Sequence, residues 1–220
     1  MKIYRLPSPI RALAFDMDLT LYTNAEYGRL QIDCLVERLG KLRGLSFDEI
    51  NAEVEEVRET MALSHGGKRP SLSNILSTFG IGIQEIIRWR EELLAPEEFI
   101  KEDKRLEETL EKLSRHYALG VVTNNPVLVA RKTLAALGVL ESFPIVVGLD
   151  TCMTPKPHAR PFEKFCELSH CPPETCVSIG DRYDIDLDIP LKIGMGAILV
   201  DGVEDVYELP GFLLYTNERW

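Results

Sequence analysis

The sequence lacks any apolar run long enough to cross a bilayer: its longest stretches, "FPIVVG" and "GAILV", fall well short of the roughly 18 to 20 residues a membrane span needs. Positive charge is also scarce. Lys and Arg number 25 against 35 Asp and Glu, for a net charge of −10, which argues against nucleic acid or an anionic membrane as a partner, because both need basic surface. An anionic ligand would have to be drawn in by local cations. The opening "MKIYRLPSPI" has basic residues but two prolines and no continuous apolar core, so it does not read as a signal peptide, and a cytoplasmic setting is expected. Cysteine is sparse and odd in number, at 34, 152, 166, 171 and 176, which suits unpaired buried thiols in a reducing compartment. The spacing of Cys166, Cys171 and Cys176, even with His170 beside them, does not match a zinc knuckle. No internal repeat or low-complexity segment stands out.

What the chain does have is enough apolar residue, 45% of 220, to bury a substantial core in one large domain or two unequal ones. In "IRALAFDMDLTLYT" an apolar run, Ala12 to Phe15, stops abruptly at Asp16 and Asp18. A buried parallel strand reads as such a run, and open α/β sheets place their ligands at the carboxyl ends of their strands. The pattern then turns helical for about 75 residues. "EYGRLQIDCLVERLGKL" sets Leu30, Cys34, Leu35, Leu39 and Leu42 on one stripe, and Ser46 with Glu49 forms a capping box for the next helix. "SLSNILSTFG" and "IQEIIRWREELL" continue the helical pattern up to Pro96. From about residue 104, helices alternate with the strands "ALGVVT", "FPIVVG", "TCVSIGD" and "GAILV". The expected fold is a Rossmann-like, doubly wound parallel α/β sheet with an inserted helical cap domain. Residues 1–21 and 99–220 would make the core and 22–98 the cap, a unit placed to act as a lid.

Each strand ends in polar residues: "DMDLT", then "TNN", then a region leading to "TPKP", then "GDRYDID". The topology gathers them at one edge of the sheet. A carboxylate nucleophile, a second carboxylate for proton transfer, a hydroxyl, a lysine and further aspartates suit phosphoryl transfer. Crowded aspartates repel one another and repel phosphate, so a divalent cation with hard oxygen ligands, Mg²⁺, is expected among them.

These four motifs in this order resemble the haloacid dehalogenase-like hydrolase superfamily, in its branch with a helical cap between the first and second motifs. "DMDLTL" matches the first motif, Thr123 and Asn124 the second, Lys156 the third, and the run from Asp181 to Asp186 the fourth. The resemblance implies that Asp16 attacks phosphorus to form an aspartyl-phosphate and that Asp18 protonates the leaving oxygen and then activates water. It also implies that Mg²⁺ is held by Asp16, by the main-chain carbonyl of Asp18, by Asp181, and by Asp186 directly or through water. Thr123 and Asn124 would bind the phosphoryl oxygens, with the helix behind Pro126 adding its dipole, and Lys156 would balance the charge. Asp184 leaves two readings open, a substitute for Asp186 or, preferred, a helix cap.

The acid at Asp18 favours phosphate monoesters over organohalides, and the implied activity is a Mg²⁺-dependent phosphatase acting on a small phosphorylated metabolite, as a monomer or homodimer. A phosphomutase and a noncatalytic metabolite binder on the same fold are the alternatives. Phosphoglycolate phosphatase-like and nucleotidase-like branches fit "LYTNAEY" equally well. Substrate choice is expected to lie in the cap, with His65, Lys68 and Arg69 of "SHGGKRPS" as candidate substrate-binding residues and Tyr22 and Asn24 as further candidates.

Overall fold

The computed structural model describes residues 1–64, 66–67 and 70–216. Its centre is one sheet of six short strands, β1 (Lys2–Arg5), β2 (Ala12–Phe15), β3 (Ala118–Val122), β4 (Ile145–Val147), β5 (Cys176–Gly180) and β6 (Gly196–Leu199). They lie in the order β1-β6-β5-β2-β3-β4. The strand that carries the first aspartates is therefore central, parallel to β3 on one side and β5 on the other. Because the chain runs outward from β2 through β3 to β4 and then returns to β5 on the opposite side, the direction of winding changes at β2. That switch point opens a crevice at the carboxyl ends of β2 and β5.

All four residues of β2 are buried, and their alternation separates two cores. Leu13 and Phe15 join Leu106, Leu110, Leu134 and Leu213 on one face, whereas Ala12 and Ala14 meet Phe162, Phe165 and Cys166 on the other. Small residues on the sheet thus leave room for aromatic ones on the helix. The same device recurs at Gly120 on β3, where an added Cβ would lie 2.7 Å from the ring of Phe165 and 2.8 Å from Cβ of Ile145.

The insertion that follows β2 carries, among the described residues, four helices, α1 (Ala25–Arg43), α2 (Phe47–Ser64), α3 (Leu72–Thr78) and α4 (Ile83–Leu93). They enclose a core of their own, built from Leu35, Leu39, Ile50, Val54, Leu76, Ile86 and Trp89, which takes in one residue from beyond β4, Leu149. The remaining helices are α5 (Lys104–Ser114), α6 (Val127–Ala136), α7 (Leu149–Cys152), α8 (Ala159–Ser169), α9 (Asp188–Lys192) and α10 (Val203–Thr216). No helix among the described residues is long and apolar enough to cross a membrane.

Several expectations change in detail. The sheet is parallel only over five strands, since β1 pairs antiparallel with β6. Every residue of β1 is exposed, so the edge strand carries no burial pattern to read. On α1 the buried stripe is Tyr27, Gln31, Leu35, Val36 and Leu39, while Leu42 is 63% exposed near the helix end. The capping box at the start of α2 is present: Glu49 accepts from the Ser46 N–H at 2.8 Å, and the Glu49 N–H reaches Ser46 Oγ at 3.4 Å. The helical stretch expected between the strands "TCVSIGD" and "GAILV" is a π-helical turn, Tyr183–Leu187, followed by the short α9. Ser178 Oγ on β5 donates to the carbonyl of Asp186 at 2.8 Å, which fastens this widened turn to the sheet and turns Asp186 inward. Of the cysteines, Cys166 and Cys176 are buried and Cys34, Cys152 and Cys171 are partly buried, all five unpaired.

The substitution Gly120→Ala forces a methyl against Phe165 and the backbone of β4. Chemical denaturation should show a loss of about 1 to 3 kcal/mol. Unchanged stability would mean that the two layers are not packed as closely as described.

Candidate active site

The loops that follow β2, β3, β4 and β5 converge on a cavity of about 250 Å³ whose lining includes Asp16, Asp18, Asn125, Lys156, Asp181 and Arg90. Asp16 is the first residue beyond β2 and stays tied to the sheet, its N–H donating to the carbonyl of Ile179 at 2.7 Å. The chain then turns sharply, with the N–H of Leu21 donating to the carbonyl of Met17 at 2.9 Å and Leu19 in the left-handed region at φ 59°. A side chain at that φ is uncommon, and such residues gather in tight turns at functional sites. The turn gives Asp16 and Asp18 different surroundings.

Asp16 faces Lys156. Lys156 Nζ donates to Asp16 Oδ1 and to Asp186 Oδ1, each at 2.6 Å, and the lysine is buried. Asn124 holds that lysine in place through its backbone: Asn124 Oδ1 accepts from the Lys156 N–H at 2.7 Å, and Asn124 Nδ2 donates to the Lys156 carbonyl at 3.2 Å. Asp186 Oδ2 accepts from the Arg182 N–H at 3.1 Å. Gly180 makes this possible, since a Cβ there would lie 2.5 Å from Cβ of Asp186.

One oxygen each from Asp16, Asp181 and Asp186 lies within 4.8 Å of the others. Burial pushes the Asp16 carboxyl up, with Lys156 opposing it and Asp18 adding to it. Asp181 is pushed up to about 8 by burial and by the charges of Asp16 and Asp186, and Asp186 to about 6 by burial with Lys156 pulling the other way. Lys156 loses from burial but gains more from its two aspartates, so its ammonium is held above the usual lysine range. Three such oxygens around one point are a hard, anionic donor set of the kind Mg²⁺ takes, and their mutual repulsion adds to the burial that raises the carboxyls.

Asp18 faces away from Lys156, into a hydrogen-bond network. Its Oδ1 accepts from the hydroxyl of Tyr22 and from Gln31 Nε2 at 2.8 Å, and its Oδ2 accepts from Asn125 Nδ2 at 2.8 Å. Asn125 Nδ2 also donates to Gln31 Oε1 at 2.9 Å, and Asn125 Oδ1 accepts from Arg90 Nη1 at 2.8 Å. Because arginine can only donate, the amide of Asn125 has one orientation. Two of these residues, Gln31 on α1 and Arg90 on α4, come from the helical insertion, so the insertion completes the surroundings of Asp18.

The expected residues are thus brought together unevenly. Asp16, Asp18, Asn124, Lys156, Asp181 and Asp186 all line the cavity. Thr123 is buried just beneath, its hydroxyl accepting from the Asn125 N–H at 3.1 Å. The amino end of α6 is partly occupied by the chain itself, since the Val127 N–H donates to Asp150 Oδ1 at 2.8 Å. Asp184 neither joins the acidic cluster nor caps a helix; it pairs with Arg182 at 2.8 Å. Asn24 caps α1 by accepting from the Tyr27 N–H at 3.0 Å and donates to the Phe99 carbonyl at 2.9 Å, which ties together the two strands of chain that lead into and out of the insertion. Those bonds occupy it away from the cavity. His65, Lys68 and Arg69 lie outside the described residues. Sequence reasoning missed Gln31, Arg90 and Asn125, although each of the first two is a polar residue on the apolar stripe of its helix, and that is a readable mark.

Residues 13–200 match the haloacid dehalogenase-like hydrolase family. Among curated proteins, the chain is 34% identical over 88 residues to a glyceraldehyde 3-phosphate phosphatase of Methanothermobacter thermautotrophicus, a stretch covering 40% of this chain and 39% of that protein. It is 28% identical over 187 residues to a phosphoglycolate phosphatase of Aquifex aeolicus, covering 84% of this chain and 82% of that one. The chain thus spans less than half the length of the archaeal relative and most of the bacterial one. Among solved structures, the crystal structure of a HAD phosphatase from Thermococcus onnurineus superposes with a TM-score of 0.57 at 24% identity, covering 87% of this chain and 86% of that one, a likeness of fold. With the match running from within β2 to the end of β6 and taking in the insertion and all four strand-end loops, the chain belongs to the haloacid dehalogenase-like hydrolase family.

Proposed function

We propose that the protein is a Mg²⁺-dependent phosphatase that hydrolyses a small phosphate monoester through an aspartyl-phosphate on Asp16. The observation that carries this reading is the division of labour between the two aspartates: Asp16 sits against Lys156 and the acidic cluster, and Asp18 sits apart, held directly by the neutral side chains of Tyr22, Gln31 and Asn125. Phosphatase relatives support it.

In this reading an oxygen of Asp16 attacks phosphorus, and the bond from phosphorus to the ester oxygen breaks. Asp18, as the carboxylic acid, gives its proton to the departing oxygen. It then takes a proton from the water that attacks the aspartyl-phosphate, and inorganic phosphate leaves with Asp16 restored. Tyr22, Gln31 and Asn125 fix the direction of the Asp18 carboxyl through both steps. Lys156 holds Asp16 oriented and lies where the charge of the transferred group would build up. The Thr123 hydroxyl, which accepts from Asn125, keeps its own proton to donate to a phosphoryl oxygen, and Asn124 keeps Lys156 at its post. Asp16 and Asp181, with the carbonyl of Asp18, would hold Mg²⁺, while Asp186, whose two oxygens already accept from Lys156 and Arg182, would reach it through water. When bound, the ion supplies Lewis-acid neutralisation of the phosphoryl oxygens. Residues 1–21 and 99–220 serve as the catalytic core and 22–98 as a cap that excludes bulk water from the reacting group. The setting is cytoplasmic, and the partner is a small phosphorylated metabolite.

Activity toward p-nitrophenyl phosphate should require Mg²⁺, and turnover that persists in excess EDTA would refute the metal's part. The carboxyls also set a sign for metal binding. A group with a pKa raised to about 8 is protonated near neutrality in the cation-free site, so Mg²⁺ must displace its proton. Calorimetric titrations in two buffers of different ionisation heat should therefore show release of about one proton near pH 7, fading toward zero above about pH 9.5, with tighter binding as pH rises between those limits. Proton release that does not depend on pH would contradict the crowded cluster. Replacing Gln31 by Leu removes a donor from Asp18 without touching the acidic cluster. Its steady-state kcat should fall by about tenfold or more while the Mg²⁺ requirement keeps its midpoint; a shifted midpoint with unchanged kcat would place Gln31 in the metal site instead.

A further inference from the structure

Arg90 is an uncommon residue in its position. It lies on the inward stripe of α4 with Ile86 and Trp89, is only 7% exposed, and yet lines the same cavity as Asp16 and Asp18. Its Nη1 donates to a neutral amide, Asn125, and its Nε has no hydrogen-bond partner among the described residues. No carboxylate among the described residues forms an ion pair with it. Burial weakens the guanidinium's hold on its charge, and the principal electrostatic support it receives is from Asp18, across Asn125. A buried cation with a donor left over and no counter-ion beside it costs several kcal/mol unless an anion completes it. Arg90 lines the cavity, so a bound anion is in a position to complete it.

Its place tells which part of a ligand it meets. Lys156 and the acidic cluster lie on the Asp16 side, where the phosphoryl group is bound in the reading above, and this inference rests on that reading. Arg90 lies on the other side, joined to Asp18 through Asn125. Asp18 is the residue assigned to the leaving oxygen, so whatever touches Arg90 is attached to that oxygen. The planar fork of arginine matches a carboxylate or phosphate in two parallel bonds. The cavity, about 250 Å³, is below the range of about 300 to 1,000 Å³ found for drug-sized ligands, so the leaving group is small.

We propose that Arg90 selects the leaving group, and that the substrate is a small phosphate monoester or anhydride whose leaving group carries a second negative charge. Two sources share that chemistry, a short hydroxy acid esterified with phosphate and inorganic pyrophosphate. Both present an anionic oxygen pair beyond the scissile bond. A neutral leaving group of equal length leaves Arg90 buried and incomplete, which is the penalty that discriminates against it.

The test compares three substrates on the wild-type protein with Mg²⁺: phosphoglycolate, inorganic pyrophosphate and 2-hydroxyethyl phosphate, the last replacing the carboxylate of the first with a neutral alcohol. The kcat/KM for one of the two anionic substrates should exceed that for the neutral one by about tenfold or more. In Arg90→Met that ratio should collapse by about the same factor, and in Arg90→Lys, which keeps the charge but loses the fork, it should fall partway. Because each ratio is taken within one protein, a general loss of activity cannot imitate the effect, and the wild-type ratio stands even where a variant does not fold. A preference for phosphoglycolate identifies the hydroxy-acid source, and one for pyrophosphate identifies the other. Hydrolysis of all three without preference, or a preference that survives in Arg90→Met, overturns the inference and leaves the phosphatase reading intact, making Arg90 a strut for Asn125. No hydrolysis of any of them or of p-nitrophenyl phosphate overturns both.

Discussion

One buried ammonium organises the site. Lys156 Nζ lies 2.6 Å from both Asp16 and Asp186, and without it the ends of β2 and β5 would bring two buried carboxylates together with no neutralising charge. Burying such a pair is unfavourable unless the charges are matched and the oxygens hydrogen-bonded, and here one residue from the loop beyond β4 supplies a cation that bonds one oxygen of each carboxylate. That loop is held by Asn124, from the loop beyond β3, which bonds both the N–H and the carbonyl of Lys156. Four strand-end loops are thereby fixed to one another. Burial, with the mutual repulsion of the three carboxylates, still holds Asp16, Asp181 and Asp186 above the usual range, a state that the proposed divalent cation would relieve.

The second constraint is the separation of the two aspartates. Residues two apart on a strand would point the same way, but the chain leaves the sheet at Met17 and turns through Leu19, so Asp16 keeps to the sheet end and Asp18 turns toward the helical insertion. There it meets side chains from α1 and, through Asn125, from α4. In the proposed reading, the chemistry of Asp18 therefore depends on the insertion being seated.

Much of this was legible in the sequence. Apolar runs that stop at Asp16, Thr123 and Asp181 mark the carboxyl ends of parallel strands, and the position of a ligand site follows from topology alone. The long helical stretch between the first and second of these marks the insertion. What was not legible has physical reasons. The edge strand β1 is exposed throughout, so no burial pattern betrays it. The π-helical turn at Tyr183–Leu187 depends on a bond from Ser178 on the preceding strand that no local periodicity encodes. Asn24 reads as a candidate site residue because it follows the first motif, yet its bonds to Tyr27 and Phe99 make it a clasp between the two linkers. Gln31 and Arg90 are the instructive omissions. Each lies on a stripe of Leu, Val, Ile or Trp, where a polar side chain is buried only if it has a purpose, and the sequence marks them as anomalies without saying what they face.

The account rests on Asp16 as the atom donor to phosphorus, with Asp18 needed for the second half of the reaction. The most direct measurement is mass spectrometry of the Asp18→Asn variant after a brief incubation with Mg²⁺ and an activated phosphate monoester, quenched in acid and digested. Loss of the group that activates water should leave the aspartyl-phosphate to accumulate, and the added phosphoryl mass should lie on the peptide carrying Asp16, disappearing on treatment with hydroxylamine. A phosphoryl group found on any other residue, or none on a variant that still turns over, would contradict the account.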